Sequence, residues 1–272
     1  MDDTSKPCCD NPCASVMKLM RVRFQCWFAW LLGVFLLPIA CAASPLSTTQ
    51  ALQLPGGTEV AVRVYPAQGN TLVLWLPTES GIVAADYKAA AVLAQTGIEV
   101  WLPDLHAAYF LPVVPSSLAQ ISATDVAQVI ARAQQRGKAV YLVSGGSGAA
   151  LALQGAALQA KNRKPVRGAV LLSPNLFTGT PQPGEDAQYL PIASRTRLSI
   201  VILQPDRSPW KWRVDELQSR LQRGGSKVSV KTLPGIRDRF YYREDASPIE
   251  RTWAGRLPEL MVNALKSLKD KR

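Results

Sequence analysis

The segment Ala139–Ala149 (AVYLVSGGSGA) holds the densest chemistry in the chain. An apolar, strand-like run meets the turn Gly145-Gly146-Ser147-Gly148, and an Ala/Leu-rich helical pattern starts at Ala149. A serine on so sharp a strand-to-helix turn has its hydroxyl lifted clear of the backbone. The next amide then points to where an acyl oxygen would develop negative charge. That is the chemistry of acyl transfer. It needs small residues two before and two after the serine, because the strand and helix backbones nearly touch there, and Gly145 and Ala149 satisfy this for Ser147. Ser147 is therefore a candidate for such chemistry, flanked by Gly146 and Gly148. A dinucleotide loop would also be glycine-rich, but G-x-G-x-x-G is not matched and no acidic residue follows about 20 positions later.

A serine hydroxyl keeps an alcohol pKa unless a base stands next to it. The chain of 272 residues has one histidine, His106. That single imidazole excludes multi-histidine metal sites. All five cysteines, Cys8, Cys9, Cys13, Cys26 and Cys41, precede residue 42. A disulfide framework, a thiolate zinc site, a cysteine nucleophile and a CxxC redox pair are therefore excluded beyond it. No cofactor and no metal is expected. The formal net charge is +11, with 16 basic and 9 acidic residues from Asp206 onward against 11 and 8 from Ser44 to Pro205. Lys266, Lys269, Lys271 and Arg272 read as a solvated helix end, where cations are favourable. Weak contact with an anionic membrane surface is the alternative. Nucleic acid is not expected, because no aromatic-basic motif is present.

Strand and helix patterns that could carry these residues alternate along the chain. Thr58–Tyr65 alternates as a half-exposed strand. Thr71–Leu76, Ile98–Leu102, Ala139–Val143, Ala169–Leu172 and Leu198–Leu203 are apolar runs of the kind buried on both faces, and Val228–Thr232 reads as an edge strand. Between them, Ser122-x-x-Asp125 has the form of a capping box ahead of a Val126/Val129/Ile130/Ala133 stripe that stops at Gly137. Val214, Leu217 and Leu221 mark a helix closed by Gly224-Gly225, and Leu257–Leu268 marks the last. The fold class expected is α/β: a mostly parallel central sheet of about 7–8 strands with helices on both faces. The Pro174–Ile192 connection is too short for a large lid domain, so any cleft should be shallow and open.

Ahead of this domain, residues 1–16 carry no structural pattern and read as a non-structural extension, with translation starting at Met17 or Met20. Residues 17–42 have the form of a signal peptide. Lys18, Arg21 and Arg23 precede an apolar core from Cys26 to Ala40, and Ala40-x-Ala42 is a small-residue cleavage pair. Residues 43–272 are then one domain, periplasmic or envelope-associated. A lipoprotein through Cys41 or an uncleaved anchor are the competing readings.

The order of turns resembles the α/β-hydrolase family. The elbow at Ser147, Leu76-Pro-Thr-Glu-Ser-Gly81 after one buried strand, Trp101-Leu-Pro-Asp104 after the next, and Leu233-Pro-Gly235 followed by Phe240 carry the resemblance over roughly Thr58–Lys269. It implies Ser147 as nucleophile, oxyanion amides at Gly148 and Thr78, and an acid at Asp206. The base position is filled by Asp238 instead of histidine, and His106 belongs to another loop. An aspartate is a weak base at neutral pH. The resulting expectation is an exported, catalytically degenerate protein acting by binding in the cell envelope. The alternative is an active esterase- or peptidase-type serine hydrolase with an unorthodox base. The ligand or partner on either reading is a small molecule, an acyl or peptide group, or an envelope protein. Asp238 or Arg237 is expected beside Ser147. Asp206 and Asp238 are expected to pair with Arg207, Arg237 and Arg239. Trp210, Trp212, Tyr241 and Tyr242 are expected to cover the far end of the sheet.

Overall fold

The computed structural model describes residues 47–162, 165–181 and 184–270. The extension and signal-peptide readings lie outside the described residues. In chain order the strands are β1 Thr48–Gln53, β2 Glu59–Tyr65, β3 Thr71–Trp75, β4 Ile98–Pro103, β5 Ala139–Gly145, β6 Ala169–Leu172, β7 Ser199–Pro205 and β8 Lys227–Leu233. The helices are α1 Ala84–Gln95, α2 Leu105–Ala108, α3 Ala123–Gln134, α4 Gly148–Asn162, α5 Val214–Arg223, α6 Pro248–Gly255 and α7 Leu257–Asp270. One 8-stranded sheet runs β1-β2-β4-β3-β5-β6-β7-β8. The β1–β2 and β2–β4 pairs are antiparallel, and every pair from β4 to β8 is parallel.

Alternation along each strand divides the core into two layers. Leu72, Leu74, Leu142, Leu171, Ile200 and Ile202 face a layer closed by apolar side chains of α3, α4 and α5. Val73, Trp75, Tyr141, Val143, Val170 and Val201 face the other, closed by α1 and α7. This is why these strands read as unbroken apolar runs: both faces are buried. Strand β2 shows the alternating form, with Val60, Val62 and Val64 buried and Glu59, Ala61 and Arg63 exposed. Strand β8 is the edge strand expected. Strand β1 had no signal in the sequence; five of its six residues are exposed, so nothing forces it to alternate.

The capping box at α3 is only half formed. The Ser122 hydroxyl accepts from the amides of Thr124 and Asp125. The Asp125 carboxylate, however, accepts from the hydroxyls of Tyr109, at 2.6 Å, and Thr58, at 3.0 Å, instead of reaching back to the cap. The parallel strands all end on one edge of the sheet. The loops after β3, β5, β6, β7 and β8 therefore converge there, as ligand-binding loops do in open α/β sheets.

Candidate functional site

Strand β5 delivers the chain into the turn at Gly145, and α4 begins three residues later at Gly148. The residue in the left-handed region is Gly146, with φ +50°; Ser147 is not among the residues with positive φ. The close backbone crossing has the same centre. A β-carbon at Gly148 would lie 2.1 Å from the Pro77 carbonyl oxygen and 2.6 Å from Ser144 Oγ, whereas one at Gly145 would meet the Leu172 carbonyl oxygen at 3.0 Å. Ala149 keeps its own β-carbon while fully buried. The pair two before and two after the apex is thus Ser144 and Gly148, and the apex is Gly146. The elbow forms where the sequence placed it, with a register one residue earlier.

The side-chain volume above Gly146 is occupied by a carboxylate. A β-carbon there would lie 2.1 Å from Glu79 Oε2 and 2.6 Å from Oε1. Glu79 Oε2 accepts from the Ser147 amide at 2.9 Å, and Oε1 accepts from Arg239 Nη2 at 2.9 Å. The Ser147 hydroxyl has no hydrogen-bond partner among the described residues. Asp238 and Arg237 line the same cavity as Ser147, but the group bonded to the Ser147 amide is Glu79, tied to Arg239. Thr78 does not stand ready as an oxyanion donor. Its amide donates to the Gly81 carbonyl at 3.2 Å, and its hydroxyl accepts from the Ser80 amide at 3.1 Å.

Asp238 does line the same cleft, but it serves other serines. Its Oδ1 accepts from the Ser173 hydroxyl at 2.5 Å and its Oδ2 from the Ser208 hydroxyl at 2.9 Å. Burial raises the Asp238 pKa above the usual aspartate range, opposed by those two hydroxyls and by the charge of Arg239. Asp206 Oδ1 accepts from the Gly235 amide at 2.7 Å and so holds the turn entering this loop, where Gly235 has φ +76°. Neither aspartate makes a side-chain ion pair with arginine among the described residues. The expected pairing is replaced because better acceptors stand nearby. Arg237 reaches Glu250 at 2.7 Å and Asp245 at 2.9 Å, Arg243 reaches Asp245 at 2.8 Å, and Arg239 takes Glu79.

Glu79, Ser147, Ser173, Asp238 and Arg239 border a cavity of about 440 Å³. Trp210, Tyr241 and Tyr242 line it, so these aromatics belong to the cleft and not to a remote cover; Trp212 is 83% exposed. Arg207 lines the mouth, exposed and without a side-chain partner among the described residues. Among the described residues, three non-glycine residues have positive φ: Phe110, Ser173 and Arg239. Two of them, Ser173 and Arg239, line this cleft, consistent with the clustering of backbone strain at functional sites. Among the described residues, no group of three potential ligand side chains is arranged to hold a metal. Glu79, Ser173 and Ser208 were absent from the sequence reading. Glu79 stood inside the loop singled out as Leu76–Gly81, but nothing local tells which way its carboxylate turns.

His106 does not border the cleft. It is 3% exposed on α2, with β3 standing between its strand and β5, and neither ring nitrogen has a hydrogen-bond partner. Burial lowers its pKa from 6.5. A depressed histidine pKa means that protonation favours the unfolded chain, so this contribution to stability is present above pH 6.5 and is lost as pH falls below it. Buried Asp86, raised to about 7, acts oppositely over an overlapping range, because its ionisation in the folded chain is what costs free energy. The prediction is therefore on a difference. The stability gained by His106→Leu over wild type, from urea melts at several pH values, should grow as pH drops from 7 to 5. A flat difference would mean that His106 finds a proton partner.

No family model matches this sequence, and no curated protein matches it either. Solved structures do. The chain is similar to a protein from Klebsiella pneumoniae subsp. pneumoniae assigned as a dienelactone hydrolase (14% identity, TM-score 0.58, covering 80% of this chain and 98% of that one). It is also similar to carboxyl esterase 2 of Tuber melanosporum (13%, 0.58, 82% and 89%) and to Thermogutta terrifontis esterase 2 phosphoramylated by tabun (12%, 0.58, 82% and 95%). The chain has the α/β-hydrolase fold. Its strand-to-helix elbow and its cleft both lie at the carboxyl edge of the sheet.

Proposed function

We propose that this protein uses its cleft to bind a ligand bearing a carbonyl or carboxylate oxygen, without a serine–histidine relay. One observation carries the reading. The elbow apex, where a hydrolase of this fold presents its nucleophile, is Gly146, and the Glu79 carboxylate lies where a serine β-carbon would have to be. The absence of an imidazole from the cleft points the same way. Ser147, Asp206 and Asp238 are then inherited positions with binding or structural roles. On this reading the mature chain acts in the cell envelope, supported by the leader pattern from Lys18 to Ala42, with an acyl compound, a peptide or an envelope protein as ligand.

A second reading is an active serine hydrolase. The hydrolase names of the similar solved structures favour it, and so does one contact. Ser173, buried and at φ +42°, donates to Asp238, whose raised pKa makes it a better base than an ordinary aspartate. Fluorophosphonate labelling of the purified protein separates the two. Wild type should remain unlabelled over hours. Rapid labelling that disappears in Ser147→Ala would return the nucleophile to Ser147, and loss in Ser173→Ala would move it to Ser173.

A further inference from the structure

The Glu79 carboxylate takes two donors that a bound anion would use: an amide at the start of α4, which runs for 15 residues, and the guanidinium of Arg239. It comes from the loop after β3 and Arg239 from the loop after β8, 160 residues apart, so the pair spans the cleft. The Glu79 side chain is 11% exposed. Arg239 holds a positive φ of +59°, a conformation that costs free energy for a residue with a β-carbon. Arg207 stands at the mouth with no side-chain partner among the described residues.

We infer that Glu79 is an internal stand-in for a ligand carboxylate, and that the cleft takes a monocarboxylate with an apolar tail by exchanging it for Glu79. This deepens the binding reading above and rests on it. Before and after the exchange the Ser147 amide and Arg239 each face one carboxylate, so both donors are satisfied in the two end states. The released Glu79 gains water. Arg207 adds a second cation within the mouth. The tail has apolar surface to meet. Trp210, Phe240 and Pro115 line the cavity, and Val113, two residues from Pro115 and 54% exposed, packs beside Gly81. Because Glu79 is tethered, it competes at a high effective concentration. Wild-type affinity is therefore held down, and removing the carboxylate should raise it.

The test is calorimetric titration of the whole chain with octanoate, beside 1-octanol as the uncharged control. Octanoate should bind Glu79→Ala and Glu79→Gln at least tenfold tighter than wild type, with octanol changed less than twofold. The gain should vanish in Glu79→Ala/Arg239→Met. Glu79→Gln keeps the side-chain shape, so the test stands if the alanine variant does not fold. In wild type, octanoate and not octanol should shift the Ser147 amide resonance. Unchanged octanoate affinity in the Glu79 variants, an equal gain for octanol, or an unmoved Ser147 amide would each overturn the inference. The two readings fail separately: fluorophosphonate labelling of wild type would remove the non-catalytic reading, whereas absent octanoate exchange would remove only this one.

Discussion

Gly148→Ala should destabilise the fold by about 3 kcal/mol or more, beyond the ordinary cost of overpacking, because the atom its methyl group meets belongs to the backbone. The Pro77 carbonyl oxygen would be 2.1 Å away and Ser144 Oγ 2.6 Å away, and neither the β3 loop nor the end of β5 can retreat without losing sheet pairing. Gly145→Ala, whose tightest contact is 3.0 Å, should cost less. Gly255→Ala meets nothing within 4 Å at the end of α6 and should be neutral or slightly stabilising through helix propensity. Urea melts of the three variants give the order directly. The order also reads the register of the elbow. If the apex were Ser147, Gly145 would be half of the tight pair and its substitution would be the worst of the three.

Arg237→Met should destabilise the fold, by less than the loss of a fully buried ion pair, because Arg237 is partly exposed and Glu250 keeps other donors. Glu250 is 1% exposed at the start of α6. It accepts from Arg237 Nε at 2.8 Å and Nη2 at 2.7 Å, and from the amides of Arg237 and Ser247 at 3.0 and 2.8 Å. These donors, Arg237 first, hold its carboxyl far below the usual range. A depressed pKa stabilises the folded chain above the ordinary glutamate value of 4.5, and this contribution is lost as pH falls below it. Wild type should therefore lose stability steeply on acidification below that value, and Arg237→Met less steeply. Arg237→Met/Glu250→Gln should recover part of the loss at neutral pH. The consequence reaches the cleft, because Asp238 and Arg239 follow Arg237 directly and inherit its anchoring. An unchanged urea midpoint at neutral pH in the single variant would show that the two backbone amides suffice for Glu250.

Much of this fold is written in local periodicity. The apolar runs at Thr71–Leu76, Ala139–Val143 and Leu198–Leu203 read as strands covered on both faces, and the stripe Leu257, Leu260, Met261, Ala264, Leu265, Leu268 is the buried face of α7. Composition alone removed thiol chemistry and multi-histidine sites from everything after Cys41. The strand-to-helix turn near residue 147 was legible too, because only a run of small residues permits so close a crossing. That same run concealed the register. In Ser144-Gly-Gly-Ser-Gly148 every neighbour is small enough to fit, so side-chain size does not distinguish an apex at Gly146 from one at Ser147. Only the backbone path, with Gly148 against Pro77, decided it. Partner choice among charges was equally out of reach. Glu79 and Arg239 are 160 residues apart and meet because the loops after β3 and β8 end on one edge of the sheet, while Arg237, two positions away, turns to Glu250. Periodicity reports which face of an element is buried, since that depends on nearest neighbours along the chain. The direction of a loop side chain depends on elements distant in sequence, and so it is fixed only when the sheet has assembled.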